Sequence, residues 1–141
     1  MTISFFASGT PKGQPRPRAF VCGGKARVYD AGTAEGWKSA VAVAARDVLP
    51  AVPIAGPIAV EIQFSMPRPK SHYGAKGAVK PAFESAQHTQ KPDLDNLAKA
   101  VLDAMTVLRF WGDDAQIVEM TLGKAWSGLT NPGAWIHVRA L

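Results

Sequence analysis

A chain of 141 residues with 47% hydrophobic and 19% charged residues has the composition of one folded domain, not of a disordered segment. Its single cysteine, Cys22, excludes an internal disulfide and a cysteine-based zinc site. The net charge of +5 points to an anionic partner, and the most apolar window is broken by Arg46, Asp47 and prolines, which excludes a membrane span.

The opening segment, "MTISFFASGTPKGQ", lacks the basic start and long apolar run of a secretion signal, so a soluble cytoplasmic protein is expected. Within it, "TISFF" is β-branched and aromatic enough for a first strand. "GTPKGQPRPR" brings prolines and glycines that forbid regular structure and hold an extended basic loop over 11–19. "RAFVCGGKARVYD" predicts two short strands turning at Gly23–Gly24. From Thr33 to about Leu49, apolar residues including Trp37, Val41 and Ala45 recur at helical spacing, with Thr33 as N-cap and Pro50 as stop. "PIAVEIQFSM" alternates, with Ile58, Val60, Ile62, Phe64 and Met66 on one face of a half-buried strand. Residues 67–90 show no period and are predicted to form a structureless basic loop, a length that is usually functional or mobile. A helix follows, with Leu94, Leu97, Val101, Leu102, Met105 and Leu108 on its inner face. "AQIVEMTLGKAW" and "GAWIHVRAL" read as two closing strands joined by the turn-rich "SGLTNP". This order predicts an α/β (α+β) fold over residues 1–141: one domain, a mixed β-sheet with two main helices packed on it.

Charge is unevenly placed along these elements. Lys12, Arg16, Arg18, Lys25 and Arg27 stand against Asp30 alone in residues 1–30. Arg68, Lys70, Lys76, Lys80 and Lys91 stand against Glu84 alone in residues 66–91, and beyond residue 91 the chain is net acidic. Two basic loops beside one acidic centre suit a polyanion drawn towards a cation-loaded site.

The acidic centre is "KPDLDNLAKAVLDAM", which opens its helix with two carboxylates one residue apart. Within a helix, positions i and i+2 point about 200° apart and cannot share a ligand, whereas in extended chain they face the same way. With Pro92 at the approach, Asp93 is the expected N-cap and Asp95 the second helical residue, so their side chains can converge at the helix mouth. Lys99 lies one turn beyond Asp95, and Asp103 one turn beyond Lys99, all on the polar face. A capped surface helix explains much of this, because acids suit the first turn and the three residues form an i, i+4 ladder. It leaves Asp113–Asp114 in "FWGDDAQI" unexplained. That pair returns a carboxylate to the helix mouth only if the next strand pairs beside it.

Other sites fail on spacing. An EF-hand loop would need an oxygen ligand at Leu97 and a glycine at Ala98. No phosphate-binding glycine loop and no GxSxG nucleophile turn is present. His72, His88 and His137 lack zinc-like spacing and are expected as surface or loop residues. Trp37, Trp111, Trp126 and Trp135 are expected as core and strand anchors. Three carboxylates with a nearby lysine do suit a Mg²⁺ site for phosphoryl transfer, since Mg²⁺ takes few carboxylates and completes its shell with substrate phosphate. Lys99 would neutralise a phosphate oxygen or position the attacking water.

Taken together, "KPDLDNLAKAVLDAMTVLRFWGDDAQIVE" resembles the signature of the RusA family of Holliday-junction resolvases. The shared pattern is Asp-x-Asp-Asn, a lysine four after the second Asp, Leu-Asp-Ala, then Asp-Asp-x-Gln followed by Ile or Val. The flanking "PKGQPRPR" and "HTQKPD" agree more loosely. The resemblance implies that Asp93, Asp95 and Asp114 bind the metal, that Lys99 is the functional lysine, and that Asp113 ranks below Asp114. It also implies a homodimer that uses Mg²⁺, with Mn²⁺ as a substitute, to nick four-way DNA junctions symmetrically, often encoded on prophages. Arg16, Arg18 and Lys91 are the leading candidates to hold the DNA backbone. The chain departs from compact members in carrying Gln-Lys-Pro before Asp93 in place of an arginine run, and in its longer 67–90 loop. The rival readings are a non-catalytic DNA-junction or single-strand binding protein, and a metal-dependent phosphatase of small esters.

Overall fold

The computed structural model describes residues 1–15, 18–29, 34–128 and 131–141, with the backbone alone for 18–22 and 25–29. The strands are β1 (Thr2–Ser8), β2 (Arg18–Cys22), β3 (Lys25–Tyr29), β4 (Ile58–Met66), β5 (Ile117–Trp126) and β6 (Gly133–Ala140). The helices are α1 (Glu35–Arg46) and α2 (Leu94–Val107). Four strands form a mixed sheet in the order β1-β6-β4-β5, and β2 and β3 pair separately. One domain results, an α+β fold with both helices on one sheet face, as the periodicity predicts.

The alternation along β4 puts Ile58, Val60, Ile62, Phe64 and Met66 under the helices, each at most 3% exposed. Removing side chains of this size from water contributes on the order of 1.5–3 kcal/mol each, which makes β4 the centre of the core. It pairs antiparallel with β6 on one side and parallel with β5 on the other. A parallel pair cannot be joined by a tight turn, so the chain must cross over, and it does so through residues 67–93 and α2. α2 offers Leu97, Val101 and Met105 to the core, all fully buried, and packs against α1 through the face that includes Trp37, Val41 and Ala45. The expected Thr33 cap lies outside the described residues, and α1 closes at Arg46, short of Leu49.

The hairpin turns where glycine allows it. Cys22 pairs with Lys25, leaving Gly23 and Gly24 as a two-residue turn with φ of 59° and 77°. Positive φ at both central residues defines the turn that matches strand twist, and glycine takes it without a Cβ clash.

α2 ends in a Schellman cap: Phe110 N–H donates to Met105 C=O and Arg109 N–H to Thr106 C=O. Arg109 occupies the left-handed position, φ 65°, where glycine is usual. The cap throws Phe110 and Trp111 inward, both fully buried, and Trp111 Nε1 donates to Thr106 Oγ1 at 2.8 Å. Trp37 and Trp111 are thus core anchors, as expected. Trp135 is not: it is 52% exposed on the sheet face away from the helices, 5.0 Å from the Phe6 ring.

Candidate active site

Asp93 stands in extended backbone, φ −67° and ψ 146°, as the N-cap of α2, just after the cis Lys91–Pro92 bond. An N-cap aspartate ordinarily accepts a bond from an N–H two or three residues on. Asp93 makes no such bond; its two oxygens lie 3.1 and 3.2 Å from Lys91 Nζ. Its carboxylate is therefore aimed out of the mouth, not folded over it. Asp95, in the first turn, accepts from the Asn96 backbone N–H at 2.9 Å. One turn on, Lys99 Nζ is 3.5 Å from Asp103 Oδ1, an exposed pair of the kind worth a few tenths of a kcal/mol, about 0.3–0.5. So weak a pair leaves Lys99 available to a stronger anion.

Two segments meet at this mouth. From the first basic loop, Gln14 N–H donates to Asn96 C=O at 3.0 Å. Gly13 lies so close that a Cβ there would stand 3.2 Å from Asn96 Cβ and 3.3 Å from Pro92 Cβ. From below, Lys124 Nζ donates to the C=O groups of Gln90 and Pro92 at 2.7 and 2.9 Å, fixing the backbone just ahead of Asp93. Sequence reasoning missed Lys124. Its signal was a cation between Leu122 and Trp126, at an alternating position otherwise filled by Val118, Met120, Leu122 and Trp126.

Residues 67–90 are also not structureless. Short helical turns form at Lys70–His72 and Pro81–Phe83, and Tyr73 bridges Val79. Arg68 ties this strap down: Nε donates to Ser127 C=O at 2.8 Å, and Nη1 to Phe83 C=O at 3.0 Å and to His72 Nδ1 at 3.2 Å. The His72 ring stacks on Phe83 at 4.2 Å, and His72 and His88 both pack on Trp126. Both histidines are loop residues, as expected, but buried ones. Burial, then Arg68 and Lys80, lower the His72 pKa; burial, then Lys124, lower that of His88. Both rings are held neutral at neutral pH.

The second acidic pair sits elsewhere. Gln116 accepts from Gly112 and Asp113 N–H through Oε1 and donates through Nε2 to Ile54 and Gly56 C=O, which locks the 114–116 turn beside the end of α2. Asp113 caps that turn, its Oδ1 accepting from Ala115 N–H at 2.8 Å. That bond, followed by one with Asp114, holds the Asp113 carboxyl below the usual range. β5 then runs from this turn back to Lys124 at the mouth of α2. Seven strand steps cover about 23 Å and the 14 residues of α2 about 21 Å, so Asp114 and the Asp93–Asp95 pair occupy opposite ends. Asp93 and Asp95 share the mouth of α2, Lys91 pairs with Asp93, Lys99 follows one turn on beside Asp103, and Asp114 does not join them. Among the described residues no three Asp, Glu, His or Cys side chains gather to hold a metal ion. One chain by itself does not fit a three-carboxylate Mg²⁺ site. Arg16 lies outside the described residues, and Arg18 opens β2, where only the backbone is described.

No helix among the described residues is long and apolar enough to cross a membrane. The profile of the family described as Endodeoxyribonuclease RusA matches residues 8–139. An uncharacterized protein of Bacillus subtilis (strain 168), YqaN, is 33% identical over 126 residues, covering 89% of this chain and 88% of the relative. A crossover junction endodeoxyribonuclease, rusA, of Lactococcus phage r1t is 60% identical over 30 residues, 21% of this chain and 23% of the phage protein.

Proposed function

This chain belongs to the RusA endodeoxyribonuclease family, and from that premise we propose that it is a Mg²⁺-dependent nuclease that resolves four-way DNA junctions by paired symmetric nicks. The observation that carries the reading is the mouth of α2. Two carboxylates stand there, the first unused for capping and paired with Lys91, while Lys99 follows one turn on and the first basic loop is bonded to Asn96. Carboxylates so placed repel a DNA phosphate, and only a cation between them and the phosphate turns repulsion into grip.

The third carboxylate comes from a second copy in this reading. β5 is an edge strand, its outer side unpaired among the described residues, and it exposes Val118 by 65% and Met120 by 46%. Two such edges pairing antiparallel about a two-fold at residue 119, between the exposed Val118 and Met120, would lay residue 114 of one copy beside residue 124 of the other. Residue 124 is at the mouth of α2. Asp93 and Asp95 of one copy with Asp114 of the other would then hold Mg²⁺, which supplies charge on the scissile phosphate and a more acidic bound water. Lys99 would neutralise a phosphate oxygen, and Lys91, already paired with Asp93, would lower the local repulsion as DNA approaches. A two-fold dimer also sets two identical sites at a fixed separation, which is what two symmetric nicks require.

The test is cleavage of an end-labelled four-way junction with Mg²⁺, with Mn²⁺ and with EDTA. Paired nicks with either metal and none with EDTA are expected; binding without nicks in every condition would leave a junction-binding protein. The separation of Asp114 from the helix mouth favours that second reading if the chain is monomeric.

A further inference from the structure

A groove of about 400 Å³ opens ahead of the mouth of α2, between the first basic loop and the strap. That size lies within the range of sites that bury a small organic group, about 300–1,000 Å³. Its lining carries Lys12, Arg68 and Lys91 and no acidic residue, while Pro67, Pro92 and Trp126 give it an apolar wall. A cationic rim over a flat apolar wall matches an occupant that joins a planar ring to an anion. A strand held by its phosphates alone would not need the wall, and an apolar ligand would not need three cations.

We propose that this groove binds one unstacked nucleotide of a DNA strand, its base against the Pro67–Trp126 wall and its phosphate among Lys12, Arg68 and Lys91. The proposal rests on the nuclease reading above and deepens it. The groove ends at Lys91 and Pro92, next to Asp93, so the nucleotide it holds is a neighbour of the phosphate at the carboxylates. The wall is preformed: three acceptors fix Arg68, and the His72–Phe83 stack pins the strap. A preformed wall avoids the ordering cost of a loop that closes on its ligand. His88, also in the lining, is buried against the Trp126 ring at 4.3 Å and backs that wall. Selectivity follows as well. Unstacking a base costs a few kcal/mol in intact duplex and least where pairing is already broken, as at a branch point.

The experiment scans 5-iodouracil through successive positions around the branch point of a four-way junction, bound by the full-length wild-type protein in EDTA and irradiated. Cross-linking at one position only, mapped to the peptide containing Trp126 or Pro67, is expected. In parallel, Lys12→Gln and Trp126→Leu should each weaken junction binding more than duplex binding, Trp126→Leu by about tenfold more, in line with the removal of one stacked base. Lys12 is exposed, so its variant remains informative if Trp126→Leu does not fold. Cross-links spread over all positions, cross-links mapped away from the groove, or equal losses for junction and duplex in Lys12→Gln would overturn the proposal. The same preparation is assayed for nicking in Mg²⁺. Nicking with a flat scan would overturn the groove alone, and a single mapped position without nicking would overturn the nuclease reading alone.

Discussion

Asp93 and Asp113 occupy matching places, each in extended backbone directly before a helical turn, and each followed by a second aspartate within two residues. Asp113 caps its turn in a reciprocal box with Gln116, and its carboxylate is engaged by Ala115 N–H. Asp93 caps nothing and reaches Lys91 instead. The same residue type in the same local position is structural at one end of α2 and turned outward at the other. What differs is the neighbour. At Asp113 the glutamine three residues on completes the box, whereas at the mouth of α2 that position is Asn96, whose C=O is bonded by the first basic loop. A carboxylate left out of capping, beside cations, is the one to expect in chemistry.

The comparison breaks most sharply at the carboxylates themselves. Asp93→Asn, Asp95→Asn and Asp114→Asn should each lower nicking by more than about 100-fold, beyond the loss usual for an outer partner of a metal ligand. Junction affinity should hold or rise, because a repulsive charge has been removed. Gel-shift and cleavage assays on one labelled junction read both quantities. Normal cutting by Asp114→Asn would move the third-ligand role to Asp113 and reverse the assignment of the two ends.

A complementation experiment sharpens the comparison further by asking whether the two ends of α2 meet across a two-fold. Asp95→Asn and Asp114→Asn proteins, each inactive alone, are mixed and allowed to exchange subunits. If each site takes Asp93 and Asp95 from one copy and Asp114 from the other, the mixed dimer has one intact site. The mixture should then recover roughly a quarter of the wild-type sites, one in each of the half of dimers that are mixed. Its products should be single nicks, not resolved junctions. Sites contained within single chains would leave the mixture as inactive as its components.

Much of this frame was legible in the sequence, and the physical reasons separate what was from what was not. Strong periods carried β4 and α2, since alternation and 3.6-residue spacing are imposed by burial on one face. The Gly23–Gly24 hairpin was legible because its turn type admits few residues. The strap at 67–90 was not: its order comes from Arg68, His72, Phe83 and Trp126 meeting across distant positions, with no period to show it. Trp135 faces away from the helices because the register of β6 places it opposite Gln63 and Phe6, and composition carries no sign of register. The relation of Asp114 to Asp93 depended on which way β5 ran. The parallel pairing with β4, together with the bonds of Gln116 to Ile54 and Gly56, holds the turn at the far end of α2.

A smaller effect is expected from the first basic loop, which is proposed to hold the DNA backbone and not to react. Replacing Arg16 and Arg18 with Ala should weaken binding to every DNA sequence. It should also flatten the dependence of log K on log salt by about 0.9 for each phosphate no longer neutralised. Cleavage at saturating protein should stay near wild type, which sets these residues apart from Asp93 and Asp95. Titrations at several salt concentrations supply the slope, and an unchanged slope would remove the loop from the interface.

The smallest expected effect tests the structural end of the comparison. Asp113→Ala removes the cap of the 114–116 turn, so the melting temperature should fall by a few degrees at neutral pH while nicking persists. The pKa of Asp113 is lowered from its ordinary 3.8, by the Ala115 N–H first and the bond with Asp114 second. A lowered value in the fold means that the native state favours the charged carboxylate more than the unfolded chain does. Its stabilisation is therefore fully present above about pH 3.8 and is lost as pH falls through the depressed folded value. The gap in melting temperature between wild type and Asp113→Ala should stay constant from neutral pH down to the ordinary carboxylate range, then narrow below it. A gap that remained constant on further acidification would mean that the turn is held by Gln116 and its backbone partners, with the Asp113 charge contributing nothing.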